Sequence, residues 1–254
     1  IPFQYNHPEE LEAIAGKHQG KLAAIVMEPI RDHEPTSEFI QVVQKIARQN
    51  DVVLIVDEVS SGFRLRTGGA HPLYGLNPDI AVFAKAMSNG YPMAAIIGKE
   101  EAMQAAQDTF ISSTYWTEGI GPVAALATIE KYERCNVPEH LVKTGNVVQE
   151  GWKHAAEDTQ IDIDIGGIPP LSHFSANGET GLLVQTLYTQ MMLDKGFLAG
   201  KSFYASYAHK KEHVQRYLKA TEEVFKTISH GIENGTLDRM LKGPVAKPGF
   251  HRLT

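Results

Sequence analysis

The chain has 254 residues, 43% of them hydrophobic, and a formal net charge of −6. That length can bury one large core or two small ones, and the negative balance argues against broad attraction to nucleic acid or anionic membranes. No apolar run approaches the roughly 18 residues of a membrane span, and no signal-peptide pattern opens the sequence. Cys135 is the sole cysteine, which excludes an internal disulfide and a cysteine-rich zinc site. These features lead us to expect an α/β protein of the cytoplasm.

In chain order, Pro8 to His18 places Leu11, Ile14 and Ala15 at helical spacing, with Glu9, Glu10 and Glu12 complementing the dipole of the first turn. Leu22 to Met27 reads as a strand ending at Glu28-Pro29. Phe39, Ile40, Val43 and Ile46 give the 3.6-residue period of a helix over Thr36 to Asn50. Val52 to Val56 is apolar on both faces and too short for a helix, which suits a buried strand of a parallel sheet. It delivers Asp57 and Glu58 at its end. After a glycine-containing loop, Ile80 to Ala84 repeats the pattern and delivers Lys85. His71, within that loop, has no partner at metal-ligand spacing and reads as a structural histidine.

A carboxylate and a lysine where parallel strands leave a sheet stand at the edge where open α/β sheets bind ligands. Solvated loop charges are the commoner explanation of such residues. Two readings carry chemistry. In one, Asp57 and Glu58 are the magnesium carboxylates of a nucleotide-binding domain, but that needs a GxxxxGK[ST] loop. The nearest string, Gly16 to Lys21, has the wrong spacing and runs into Leu22. In the other, a lysine forms a Schiff base with pyridoxal phosphate while an acid pairs with the pyridinium nitrogen.

Further on, Ser88 to Pro92 is a turn in which Gly90 lets the backbone reverse behind Lys85. Met93 to Gly98 is a short strand, Glu100 to Ala106 begins a helix, and Pro122 opens a strong helical run. Hydroxyl residues before such a helix start form a natural anion site, and Thr117 is a helix-cap candidate there. Beyond Arg134 helices at Glu139 to Ala156, Thr180 to Asp194 and Lys210 to Ile228 alternate with strands at Ile161 to Ile165, Leu171 to Ser175 and Phe203 to Ser206. That mixture suits an α+β domain. We expect residues 1–134 to be the C-terminal part of a large domain and residues 135–254 a small α+β domain.

Several of these pieces, in this order, resemble the class III aminotransferases, a pyridoxal-phosphate family. They are Ile25-Val-Met-Glu-Pro29, the run from Asp57 to Arg64 (DEVSSGFR) with Arg66-Thr-Gly68, then Pro78-Asp-Ile80 and the Lys85 segment. Ser113-Thr-Tyr-Trp-Thr-Glu118 and the C-terminal Gly249 to Thr254 look closest to the glutamate-1-semialdehyde aminomutase-like subgroup. The resemblance implies fold type I, with the second half of a mostly parallel-sheet large domain followed by the α+β domain. It implies an amino-group transferase, or an aminomutase using the same intermediates, acting on a small-molecule amino donor and carbonyl acceptor.

By the same resemblance Lys85 holds the cofactor and moves a proton, and Asp57 keeps the ring nitrogen protonated. Val59, two residues on and so on the same face if the strand stays extended, packs on the ring. Ser60 stands where some relatives carry a glutamine, and Glu28 is a candidate substrate contact. Counting back from Pro122, Thr117 contacts the cofactor phosphate of a partner subunit, with Thr114 the alternative, because Ile120-Gly121 replaces the family's Gly-Asn. A homodimer with shared sites follows. So does the expectation that a front half, with the phosphate loop, a ring-stacking aromatic residue and often a substrate arginine, precedes Ile1. A non-catalytic dimerisation fragment is the remaining reading.

Overall fold

A computed structural model describes residues 1–30, 32–114 and 117–247. They form two compact units, Ile1–Glu139 and His140–Thr254.

The first unit is built on a four-stranded sheet in sequence order: β1 (Ala24–Met27), β2 (Val53–Asp57), β3 (Ile80–Phe83) and β4 (Ala95–Gly98). The first three are parallel, in a register that sets Met27 beside Val56 and Asp57 beside Val82, and β4 runs antiparallel to β3. Helices α1 (Pro8–Lys17) and α2 (Ser37–Gln49) supply the cover. In α2 the apolar period works as expected: Phe39, Ile40, Val43, Ile46 and Ala47 are buried. The Thr36 side chain caps the helix by accepting from the Phe39 N–H at 3.1 Å.

These helix residues share a core with Ile25, Met27, Leu54 and Val56 from one face of the sheet. The other face is less covered. On β2 the residues alternate, with Val53, Ile55 and Asp57 half-buried and Leu54 and Val56 buried, and Val26 on β1 is 57% exposed. A second cluster joins Phe63, Ala81, Phe83 and Met87 to Ala125 of α4 (Ile120–Arg134). A short helix α3 (Glu100–Gln104) follows β4.

The second unit contains most of α5 (Val137–Thr159), an antiparallel sheet of β5 (Ile163–Gly166), β6 (Leu171–Ala176) and β7 (Ser202–Tyr204), and helices α6 (Gly181–Asp194), α7 (Lys211–Glu233) and α8 (Leu237–Met240). Its core centres on Phe174, whose ring lies 5.0 Å from Trp152, 5.1 Å from Tyr188 and 5.9 Å from Phe225, all edge-on. The polar ends of these aromatics satisfy one another: Trp152 Nε1 donates to the Tyr217 hydroxyl at 2.8 Å, and Tyr217 and Tyr188 share a 2.8 Å hydrogen bond. Met192 is fully buried filler, and Asp164 projects from β5 into solvent. Where α5 passes the β5–β6 turn it does so without room for a side chain. A Cβ on Gly145 would stand 1.8 Å from the Pro169 carbonyl oxygen.

Helix α8 has no counterpart in the sequence-based expectation, since four residues are too few to show a period. The other elements lie within a few residues of their expected places. Among the described residues no helix is long and apolar enough to cross a membrane.

Candidate active site

The parallel register brings three strand ends to one edge of the sheet. Met27 and Val56 are partners, so Glu28 and Asp57 leave adjacent strands at the same level. Asp57 pairs with Val82, and Lys85 follows just beyond the end of β3. Lys85 begins a 3-10 turn, Lys85–Ser88, and its backbone is left-handed, with φ of 48°. Asn89 and Gly90 are left-handed as well, at 49° and 98°, so the chain reverses sharply behind the lysine.

The exposed Lys85 ammonium donates to Ser60 Oγ at 2.7 Å. Ser60, which the sequence marked only as a departure from the glutamine of some relatives, is therefore the residue that holds the amine. Asp57 Oδ1 accepts from the Val59 N–H at 2.9 Å. This local turn changes the expectation for Val59: β2 stops at Asp57, and the chain bends instead of extending, so strand alternation does not place the Val59 side chain. Glu28 is half-buried beside Pro29, whose carbonyl accepts from the Tyr5 hydroxyl at 2.8 Å. Burial, followed by the proximity of Tyr74 and Glu28, holds the Tyr5 phenol well above its ordinary value.

The Asp57-Glu58 pair does not act as a pair. Glu58 is completely buried, and its carboxylate accepts from Ser61 Oγ at 2.8 Å, from the His71 N–H at 2.7 Å and from His71 Nδ1 at 2.8 Å. Those bonds hold the Glu58 carboxylate inside the fold, which removes it from the magnesium role that the sequence left open. His71 thus has a carboxylate partner thirteen positions away, a spacing at which sequence gives no signal. Tyr74, close by, is pushed up to about 12 by burial and then by the charges of Glu34 and Glu58.

Thr117 and Thr114 are both exposed, ahead of α4, with Tyr115 and Trp116 between them outside the described residues. The start of α4 is taken by its own chain. The Glu118 carboxylate accepts from the N–H groups of Ile120, at 2.5 Å, and Gly121, at 3.1 Å. The anion that the helix start attracts is this carboxylate, and Thr117 lies just before it without capping the helix.

Comparison with known proteins gives the family and the fold. Residues 4–169 match the family model described as aminotransferase class-III. The 3-aminobutyryl-CoA aminotransferase of Cloacimonas acidaminovorans is 32% identical over 87% of this chain, and the alignment spans 56% of that protein. The glutamate-1-semialdehyde 2,1-aminomutase of Methanococcoides burtonii is 31% identical over 66% of this chain and 42% of its own length. The alignments thus span 56% and 42% of these two relatives, so the chain corresponds to only part of their length. Among solved structures, the FumI protein of Sphingopyxis sp. MTA144, in its PLP internal aldimine form, superposes with a TM-score of 0.87. It is 21% identical, and the match covers 95% of this chain and 60% of that one. Acetylornithine aminotransferase from Elizabethkingia anophelis gives 0.78 at 22% identity, over 89% of this chain and 59% of its own. The fold is that of these transaminases, and the chain belongs to the class III aminotransferases.

Proposed function

We propose that this chain serves pyridoxal-phosphate-dependent transfer of an amino group, with Lys85 as the residue that holds the cofactor covalently. The observation that carries the reading is the donor set at one sheet edge. A primary amine held by a neutral hydroxyl stands beyond one strand, and a carboxylate with one oxygen tied to Val59 ends its neighbour. The residues at this edge fit two parts of the group: an amine for its aldehyde and a carboxylate for its protonated ring nitrogen.

When bound, pyridoxal phosphate supplies an electron sink that acidifies the C–H bond beside the substrate nitrogen. The protein's own residues do the rest. Asp57 would hold a proton on the ring nitrogen by placing a negative charge beside it. The Lys85 Nζ, held at the Ser60 hydroxyl, would be the base that takes the substrate proton and returns it to a different carbon. Val59, carried past the end of β2 on the turn tied to Asp57, would flank the ring, and Glu28 would contact the substrate side of the site.

The functional unit is a homodimer in which Thr117, or Thr114, of the partner reaches the phosphate. Around this loop Phe110, Ile120, Val123 and Leu126 are 96%, 61%, 67% and 70% exposed, an apolar surface suited to a second copy. The substrates are a small amino donor and a carbonyl acceptor, and the single cysteine fits work in the reducing cytoplasm. The aminomutase relative supports a second form of the same chemistry, with the amino group returned to the same carbon skeleton.

Incubation with pyridoxal phosphate, borohydride reduction and peptide mapping tests the assignment. A reduced adduct on Lys85, lost in Lys85→Ala, is expected; an adduct on another lysine overturns it. Product analysis with a labelled amino donor then separates transfer from mutation in place.

A further inference from the structure

Glu58 has no part in the chemistry above, yet it is a carboxylate with 0% exposure. A buried carboxylate is tolerated only where donors meet it. Here all three donor groups come from the loop that carries Ser60. Ser61 Oγ donates from its start, and the His71 N–H and Nδ1–H donate from its end. An ionised Glu58 can only accept, and toward it the imidazole presents Nδ1 as the protonated nitrogen.

The loop is drawn close around this charge. A Cβ on Gly69 would stand 2.7 Å from Glu58 Oε1 and 2.5 Å from His71 Nδ1, so a side chain there would force the Glu58–His71 pair to shift. The backbone of Glu58 is fixed as well: its N–H donates to the Val82 carbonyl of β3 at 2.8 Å, and its carbonyl accepts from the Gly62 N–H at 2.8 Å. Ser60 therefore lies within a turn pinned at Glu58, Ser61 and Gly62. That turn is joined to the chain leading to Lys85 at two points, through Val82 and through the Ser60 hydroxyl.

We propose that Glu58 is a positioning residue which, through Ser61 and His71, fixes the Ser60 hydroxyl at the ε-amino group of Lys85. The charge buried on one side of β2 thereby sets the position of the reactive amine at the sheet edge. The proposal deepens the function above and rests on Lys85 being the reactive lysine.

The test reads the amine without any cofactor. The protein is acetylated briefly with an N-hydroxysuccinimide ester at one fixed pH, and labelling of Lys85 is measured by peptide mass spectrometry against the exposed Lys17. Ser60→Ala should raise Lys85 labelling about threefold to fivefold, the equivalent of one hydrogen bond. Glu58→Gln and His71→Leu should each raise it about twofold. In the Ser60→Ala background the same two changes should add nothing, because their effect passes through the missing hydroxyl. Labelling that stays at the wild-type level in the Glu58 and His71 variants, or effects that multiply with Ser60→Ala, overturns the proposal. If Glu58→Gln does not fold, His71→Leu, which leaves the carboxylate in place, decides by the same comparison. Borohydride trapping of the wild-type protein reports separately on Lys85, so a failure of the assigned function is distinguishable from a failure of the coupling.

Discussion

Asp57 and Glu58 are consecutive residues whose carboxylates go to opposite faces of β2. Asp57 continues the half-buried row of Val53 and Ile55, whereas Glu58 follows Leu54 and Val56 onto the covered face and is fully enclosed. The alternation of an extended strand divides the pair into one acid that is available and one that is structural.

For Asp57 the consequence is a loss of activity with little loss of fold. Asp57→Asn keeps the acceptor oxygen for the Val59 N–H but removes the negative charge. Amino-transfer turnover is expected to fall by about 10² to 10⁴, the usual scale for losing a proton-holding group, while the urea midpoint moves little. Steady-state kinetics and equilibrium unfolding of the same variant check both halves.

His209 makes the second unit sensitive to acid. Its ring stacks on Phe203, with centroids 5.0 Å apart, and its Nδ1 accepts from the Ser206 N–H at 3.1 Å, which requires the neutral form. Burial first, then the neighbouring His213 and His140, depresses its affinity for a proton in the folded state. The unfolded chain therefore binds more protons once the pH drops below about 6.5, and stability falls as acid is added until the depressed folded value is reached. Urea midpoints at several values between pH 7.5 and 5 should show that decline, and His209→Asn should make it shallower.

Two glycines in helices should respond oppositely to alanine. Gly145→Ala places its methyl group 1.8 Å from the Pro169 carbonyl oxygen, backbone that cannot easily retreat. A loss of about 3 kcal/mol or more is expected, at the top of the overpacking range. Gly16→Ala, near the end of α1, meets nothing within 4 Å and should gain about 0.5–1 kcal/mol from helix propensity alone. Chemical denaturation of the two variants makes the comparison.

What the sequence makes legible follows from the range of the forces involved. The period of Phe39, Ile40, Val43 and Ile46 places α2 because helix burial repeats over neighbouring residues. The apolar runs that end at Asp57 and at Lys85 show that both reach a sheet edge, and the family motifs gave the fold. The bonds that shape the site are of another kind. Glu58 meets His71, and Lys85 meets Ser60, across loops whose paths no local pattern encodes. The glutamate cap on α4 escaped for a related reason: an acid ahead of a helix reads as dipole complementation, and only coordinates show it taking the first N–H groups.

The left-handed backbone of Lys85 sets the chemistry of the site against the robustness of the fold. A side chain with a Cβ costs on the order of 1 kcal/mol at such a φ; glycine avoids the clash, and asparagine offsets part of it by local hydrogen bonding. Lys85→Gly and Lys85→Asn should therefore be inactive and yet unfold at a higher urea concentration than the wild type. A library of variants screened for thermal endurance alone would be expected to discard this lysine early, so such a screen must be paired with a demand for turnover.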